Sequence, residues 1–275
     1  MMWNRIIWLF IMFLLGKHIC FPASPRYLEL ADSADFFIAH ENWVRAEEKI
    51  VEALRLEPAN FTNSLLLANL GLVQTQKGEF DKAISSLSLG LNIAPSSTVL
   101  LNNRAHAFLL VDSIGPAISD LDKSLQIDSI QEWPLQIRAF LYLQDSQMPE
   151  AVALFSKIKK EFPDNSAAYA GFAAIAEKNG DLPAALENYR TALALNPDDE
   201  ETRQAFIFLL IDSEDYSLAR KELRDAIEKY PENPMFYLLR GYLHRLNFRM
   251  DEALADKKLA IAKGISPSYA SSFIP

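Results

Sequence analysis

Along residues 166–199, SAAYAGFAAIAEKNGDLPAALENYRTALALNPDD, two short apolar-periodic runs alternate with polar breaks. The first, 167–178, meets no breaker except Gly171. The second, 183–195, opens on Pro183 and closes before Pro197. Between them Asn179, Gly180 and Asp181 form a turn signal. A proline at a first helical position sacrifices no hydrogen bond, because that N–H has no partner inside the helix. The pattern predicts two antiparallel helices joined by a tight turn, a unit of 34 residues.

The rest of the chain repeats the unit. Its twentieth position reads Ala46, Ala83, Ala117, Ala151, Ala185, Ala219 and Ala253, and its eighth reads Ala34, Gly71, Ala105, Ala139, Ala173, Ile207 and Gly241. Two helices approach closely only where side chains are small, so these positions predict the crossing point. Twelve residues after each alanine stand Pro58, Pro95, Ser129, Pro163, Pro197, Pro231 and Ile265. The 34-residue period with small eighth, small twentieth and late proline resembles the tetratricopeptide-repeat family. The resemblance covers 27–267. The family's tryptophan at the fourth position is replaced by Leu30, Leu67, Leu101, Leu135, Tyr169, Arg203 and Tyr237, which leaves the fold expectation intact. The resemblance implies an all-α fold, a right-handed α-solenoid of seven helix–turn–helix repeats at 27–60, 64–97, 98–131, 132–165, 166–199, 200–233 and 234–267. Phe61, Thr62 and Asn63 are an insertion. In such an array each unit packs only on its neighbours.

The two ends read differently. Arg5 followed by the apolar run 6–15 is too short to span a bilayer as an ordinary helix and fits a secretory leader, with 1–23 removed. An uncleaved anchor is the alternative. Cys20, the single cysteine, cannot form an internal disulfide; Lys17, His18 and Ile19 before it do not resemble a lipidation signal. Ser24 and Pro25 read as a helix cap and first turn. At the other end, the twenty-fourth position carries Leu87, Leu121, Phe155, Tyr189 and Leu223 but then Lys257, which predicts that no further repeat follows. Residues 268–275 are expected as a short non-helical tail, folding back through Tyr269 and Phe273.

Charge and chemistry narrow the function. A formal net charge of −9 and a pI near 5.0 argue against nucleic acid, which needs a basic stripe. His18, His40, His106 and His244 show no metal-ligand spacing, and no phosphate-cradling glycine loop occurs. The chain is therefore read as no enzyme, with no cofactor and no metal. The resemblance implies protein or peptide binding on an inner wall built from positions two, five, six, nine, twelve and thirteen. Those places hold Asn102, Asn103 and His106, then Trp133, Gln136 and Phe140, then Gln204 and Phe208, and finally Tyr242 and Arg245. The plainer alternative is that these rings pack between helices. The lysines with which co-chaperones of the family clamp a terminal carboxylate are missing. The expected protein is an exported scaffold or adaptor of a bacterial periplasm or envelope, touching membrane only if the leader stays. A lipid- or helix-anchored structural component of an envelope assembly is the alternative. Two internal ion pairs are also expected, Arg104–Asp120 and Arg240–Asp256, because positions seven and twenty-three flank the crossing. Arg138 faces Leu154 and needs another acceptor.

Overall fold

The structure, a computed structural model, describes residues 23–275; the expected leader, Cys20 included, lies outside them save for Ala23. Fifteen helices and no strand occur among the described residues. The chain divides into a unit ending at Pro134 and a unit Leu135–Pro275. The first holds α1 (Pro25–Ala39), α2 (Trp43–Leu56), α3 (Asn63–Gln76), α4 (Phe80–Ile93), α5 (Thr98–Leu110) and α6 (Ile114–Ile127). The boundary falls inside α7 (Glu132–Gln144). The second unit continues with α8 (Met148–Glu161), α9 (Ser166–Lys178), α10 (Leu182–Leu195), α11 (Glu200–Asp212), α12 (Tyr216–Lys229), α13 (Pro234–Leu246), α14 (Met250–Ala262) and α15 (Pro267–Phe273).

Short polar residues set the helix starts. Ser24, Ser97, Asn165, Asp199 and Asn233 each accept a hydrogen bond from a backbone N–H two or three residues on, satisfying a donor that has no partner inside the helix. The inner turns follow the repeat even more closely. Glu41, Gly78, Asp112, Ser146, Gly180, Glu214 and Phe248 occupy the same place in successive repeats. All seven have left-handed backbone, with φ between 54° and 74°. Only two are glycine, so the turn is imposed by the helix pair rather than by glycine's freedom.

The seven alanines of the twentieth position are all 0% exposed, which is the predicted crossing. Where the crossing residue is glycine, a larger one does not fit: a Cβ on Gly71 would lie 2.4 Å from Leu87 Cγ. Both ion pairs form. Arg104 grips Asp120 with Nε and Nη2, both at 2.7 Å, and its Nη1 donates to Ser88 at 2.9 Å. Arg240 binds Asp256 through Nε at 2.9 Å and Nη2 at 2.6 Å. These forked, charge-assisted bonds clamp the two helices of a repeat at the point of closest approach. Arg138, buried in the second unit, donates to the Tyr142 hydroxyl at 2.8 Å and lies over that ring. Sequence reading missed a third clamp, Arg203–Glu222 at 3.2 Å, because Arg203 stands where other repeats carry an apolar residue.

Two details differ from the sequence reading. The insertion before α3 is structural: the Tyr27 hydroxyl donates to buried Asn63 Oδ1 at 2.9 Å, and Asn63 Nδ2 donates to the Glu57 carbonyl at 2.8 Å. The tail expected to be non-helical is helical. Ser266 caps α15, and its Ala270 and Ile274 are fully buried with Tyr237, Leu238, Ala253 and Ala260. A step of 34 back from Ala270 reaches Phe236, also buried, so α15 behaves as a truncated first helix. It covers the end of the array beside half-buried Lys257, folding back as expected but as a helix.

Candidate functional site

In the first unit, α5 carries Asn102, Asn103 and His106 at positions five, six and nine, and the start of α7 brings Trp133 beside them. The His106 and Trp133 rings meet edge-on at 5.8 Å. Loss of water around the ring lowers the His106 pKa below the ordinary imidazole value, so it presents a neutral ring. Asn103 is half-buried. Asn102 is not free to read a ligand as expected: its Nδ2 donates to Gln131 Oε1 at 2.9 Å, which ties α5 to the loop before α7. Its Oδ1 is buried with no hydrogen-bond partner.

In the second unit the expected residues separate. Gln136 and Phe140 share a face of α7, one turn apart. Phe140 is 38% exposed and packs edge-on against the fully buried Phe155 at 5.1 Å. Gln204 and Phe208 share a face of α11; Phe208, 39% exposed, stacks on Tyr242 of α13 with centroids 6.4 Å apart and planes 15° apart. Sequence reading gave Tyr269 and Phe273 only a covering role, yet Phe273 completes this cluster. It meets Tyr242 at 5.5 Å and Phe208 at 6.2 Å, both edge-on. A single four-residue step between Tyr269 and Phe273 is all the sequence offers of a helix face, too short a run to establish a period. Beyond the rings lies a cavity of about 310 Å³ lined by Glu177, Gln204, Phe208, Met235, Tyr269 and Phe273, among others. Glu177 accepts from the Tyr189 hydroxyl at 2.5 Å. Burial, partly opposed by that bond, pushes the Glu177 carboxyl above its ordinary range; burial also raises the Tyr189 phenol. Arg245 stacks over Tyr242 at 5.1 Å, and its Nε is buried without a hydrogen bond.

Each of these surfaces can hold apolar and aromatic side chains against its rings and orient a backbone through an amide, Asn103 in the first unit and Gln204 in the second. Among the described residues no three His, Cys, Asp or Glu side chains come together as a metal site, and no helix is long and apolar enough to cross a membrane.

Models of the tetratricopeptide repeat match residues 66–97, 135–236 and 209–270. A tetratricopeptide repeat protein from Parabacteroides merdae has a similar fold, with TM-score 0.76, 23% identity, and coverage of 91% of this chain and 98% of that one. The Pseudomonas aeruginosa pilF structure aligns with TM-score 0.61 and 20% identity over 71% of this chain and 89% of its own. In sequence, a Drosophila pseudoobscura pseudoobscura homolog of tetratricopeptide repeat protein 36 is 42% identical over 62 residues; the match spans 22% of this chain and 33% of that relative.

Proposed function

Because this chain belongs to the tetratricopeptide-repeat family, we propose that it is an exported, non-catalytic scaffold that holds a protein or peptide partner on its first-helix faces. The observation that carries the reading is the Phe208–Tyr242–Phe273 cluster, with Phe208 exposed and the other two rings half-buried beside a cavity. Exposed aromatic residues grouped with a few amides are what a peptide site uses, and such anchors supply most of the binding energy. In the first unit, Trp133 with His106 and Asn103 offers a smaller platform of the same kind. The proposed setting, a bacterial periplasm or envelope, rests on the leader-like residues 1–23. The anchored alternative keeps those residues or a lipid on Cys20.

The test is partner capture by the full chain from native envelope, comparing wild type with Phe208→Ala/Tyr242→Ala and with Asn103→Ala/Trp133→Ala. Loss of a captured partner with circular dichroism unchanged supports the faces as the site; undiminished capture by both variants sinks it. The mass of the mature protein decides the setting. Loss of 1–23 supports free export, and retention of the leader or an added lipid mass supports the anchored form.

A further inference from the structure

We infer that the junction of α12 and α13 is a second binding site, for an acidic peptide segment carrying an apolar side chain. A cavity of about 670 Å³ lies there, within the range of ligand-binding cavities. Leu223 and Leu243, both buried, form its floor with Ile227. Its walls are basic. Arg220 and Arg224 stand one turn apart on α12, Arg240 and His244 one turn apart on α13, and Arg249 closes the end from the following turn; Glu228 is the one carboxylate in the lining. A chain of net charge −9 gathers four arginines around one apolar floor.

The repeat itself shows how unusual this is. The twenty-first position reads Glu47, Ile84, Ile118, Val152, Leu186, Arg220 and Leu254, so Arg220 replaces an aliphatic residue. The sixteenth reads Asn42, Glu79, Ser113, Gln147, Asp181, Asp215 and Arg249. That is the N-cap of each second helix, where an acceptor satisfies exposed N–H groups and a negative charge suits the helix dipole. Arginine can do neither: Arg249 makes no cap bond, as Glu79, Ser113 and Gln147 make none, but it alone of the seven brings a positive charge to the helix start. Both departures are to arginine, and both line the same cavity. Next to Arg249 and outside the lining, Phe248 is 96% exposed at the left-handed turn that all seven repeats share. Local rules broken together without a gain in folding mark a site rather than an accident.

The charges are partly engaged, in a graded way. Arg240 is committed to buried Asp256, while Arg224–Asp225 and Arg249–Glu252 are exposed pairs worth little. Arg220 makes no ion pair among the described residues. The carboxylates of a ligand would meet Arg220, Arg224 and Arg249 in forked bonds, and its apolar side chain would reach Leu223 and Leu243. Recession favours a peptide over a flat anionic surface, because the floor and the half-buried His244 lie below the arginine rim. The site is distinct from the aromatic cluster, since Arg240, Leu243 and His244 stand at positions seven, ten and eleven and not at the first-helix places that carry Phe208 and Tyr242.

Calorimetric titration of the full chain tests it, with capped Asp-Glu-Leu-Glu-Asp peptide, the same peptide with glycine for leucine, and inorganic phosphate as probes. The leucine peptide should bind with a Kd below about 1 mM, and the glycine peptide roughly tenfold more weakly. Arg220→Ile/Arg249→Asp restores the residue types of the other repeats, so it should fold at least as well and lose roughly tenfold or more in affinity. No binding of the leucine peptide, or equal binding by the double variant, overturns the inference. Phosphate binding as tightly as the peptide also overturns it, in favour of a small-anion site.

Discussion

The inner turns of repeats five and seven have one backbone and opposite chemistry. In repeat five, Gly180 takes the left-handed place at φ 72° without strain, and Asp181 caps α10 by accepting from the Ala184 N–H at 3.2 Å. In repeat seven, Phe248 takes the same place at φ 60° and Arg249 leaves the start of α14 uncapped. A non-glycine residue in left-handed backbone costs about 1 kcal/mol, and a missing cap about 1 kcal/mol more. The crossings contrast as well. Repeat five buries Ala173, Ala185 and Tyr189 in one apolar cluster and carries Phe172 and Asn188 where repeat seven has the Arg240–Asp256 clamp. The fold therefore tolerates local sacrifice once the crossing is secure. Where the sacrifice is concentrated, something other than folding is being served.

The largest expected effect tests what secures repeat seven. Repeat five is covered by the repeats on either side, while among the described residues α15 alone packs beyond repeat seven. Deleting residues 267–275 should strip Ile274 and Ala270 from their buried places and lower stability by about 3 kcal/mol in urea unfolding. An unchanged midpoint would mean that Lys257 and its neighbours are cap enough. Next comes the clamp. Asp256→Asn leaves Arg240 without its ionic partner at a half-covered position, and should cost about 2 kcal/mol, less than a fully buried pair. Asn188→Ala, at the matching position of repeat five, should cost well under that. Equal losses would erase the contrast between an ionic and an apolar crossing.

Exchanging the turns sharpens the comparison from the other side. Phe248→Gly with Arg249→Asp should raise stability by about 2 kcal/mol, and Gly180→Phe with Asp181→Arg should lower it by a similar amount. If the repeat-seven exchange is neutral or destabilising, its unusual residues are structural, and the case for a site at the α12–α13 junction weakens accordingly.

These residues also show what could be read in the chain before any coordinates. The alanines of the crossing and the Arg–Asp clamps were legible, because a fixed period turns each local pattern into seven trials of the same geometry. α15 was not legible: PSYASSF is too short for a periodic signal, and only its packing on Tyr237 and Leu238 makes it a helix. The Asn102–Gln131 bond was hidden for a different reason. Gln131 lies between repeats, where the period assigns no partner, so Asn102 read as free. The aromatic residues of α11 and α13 were legible as a set, but their third member needed the tail to fold. Phe140 failed to join them because Phe155 gives it a nearer neighbour.

The smallest effect is a pH dependence of opposite sign in the two repeats. Glu177 of repeat five, desolvated beside Tyr189 and with the Asp212 charge nearby, has its pKa raised in the fold. The folded state therefore binds its proton more tightly than the unfolded state, and the stability tied to it is lost as pH rises above the ordinary glutamate value. His244 of repeat seven has its pKa lowered, chiefly by burial and also by Arg249 and Arg240, with Asp256 and Glu252 opposing. Here the unfolded state binds the proton more tightly, so stability is present above the ordinary histidine value and lost as pH falls below it. Urea midpoints between pH 4 and pH 7, read as single-variant differences, separate the two. Glu177→Gln should gain stability over wild type as pH rises, and His244→Gln should gain as pH falls. Parallel pH curves for wild type and Glu177→Gln would show that the carboxyl beside the aromatic cluster is solvated like a surface group, and would remove burial as the reason for its shift.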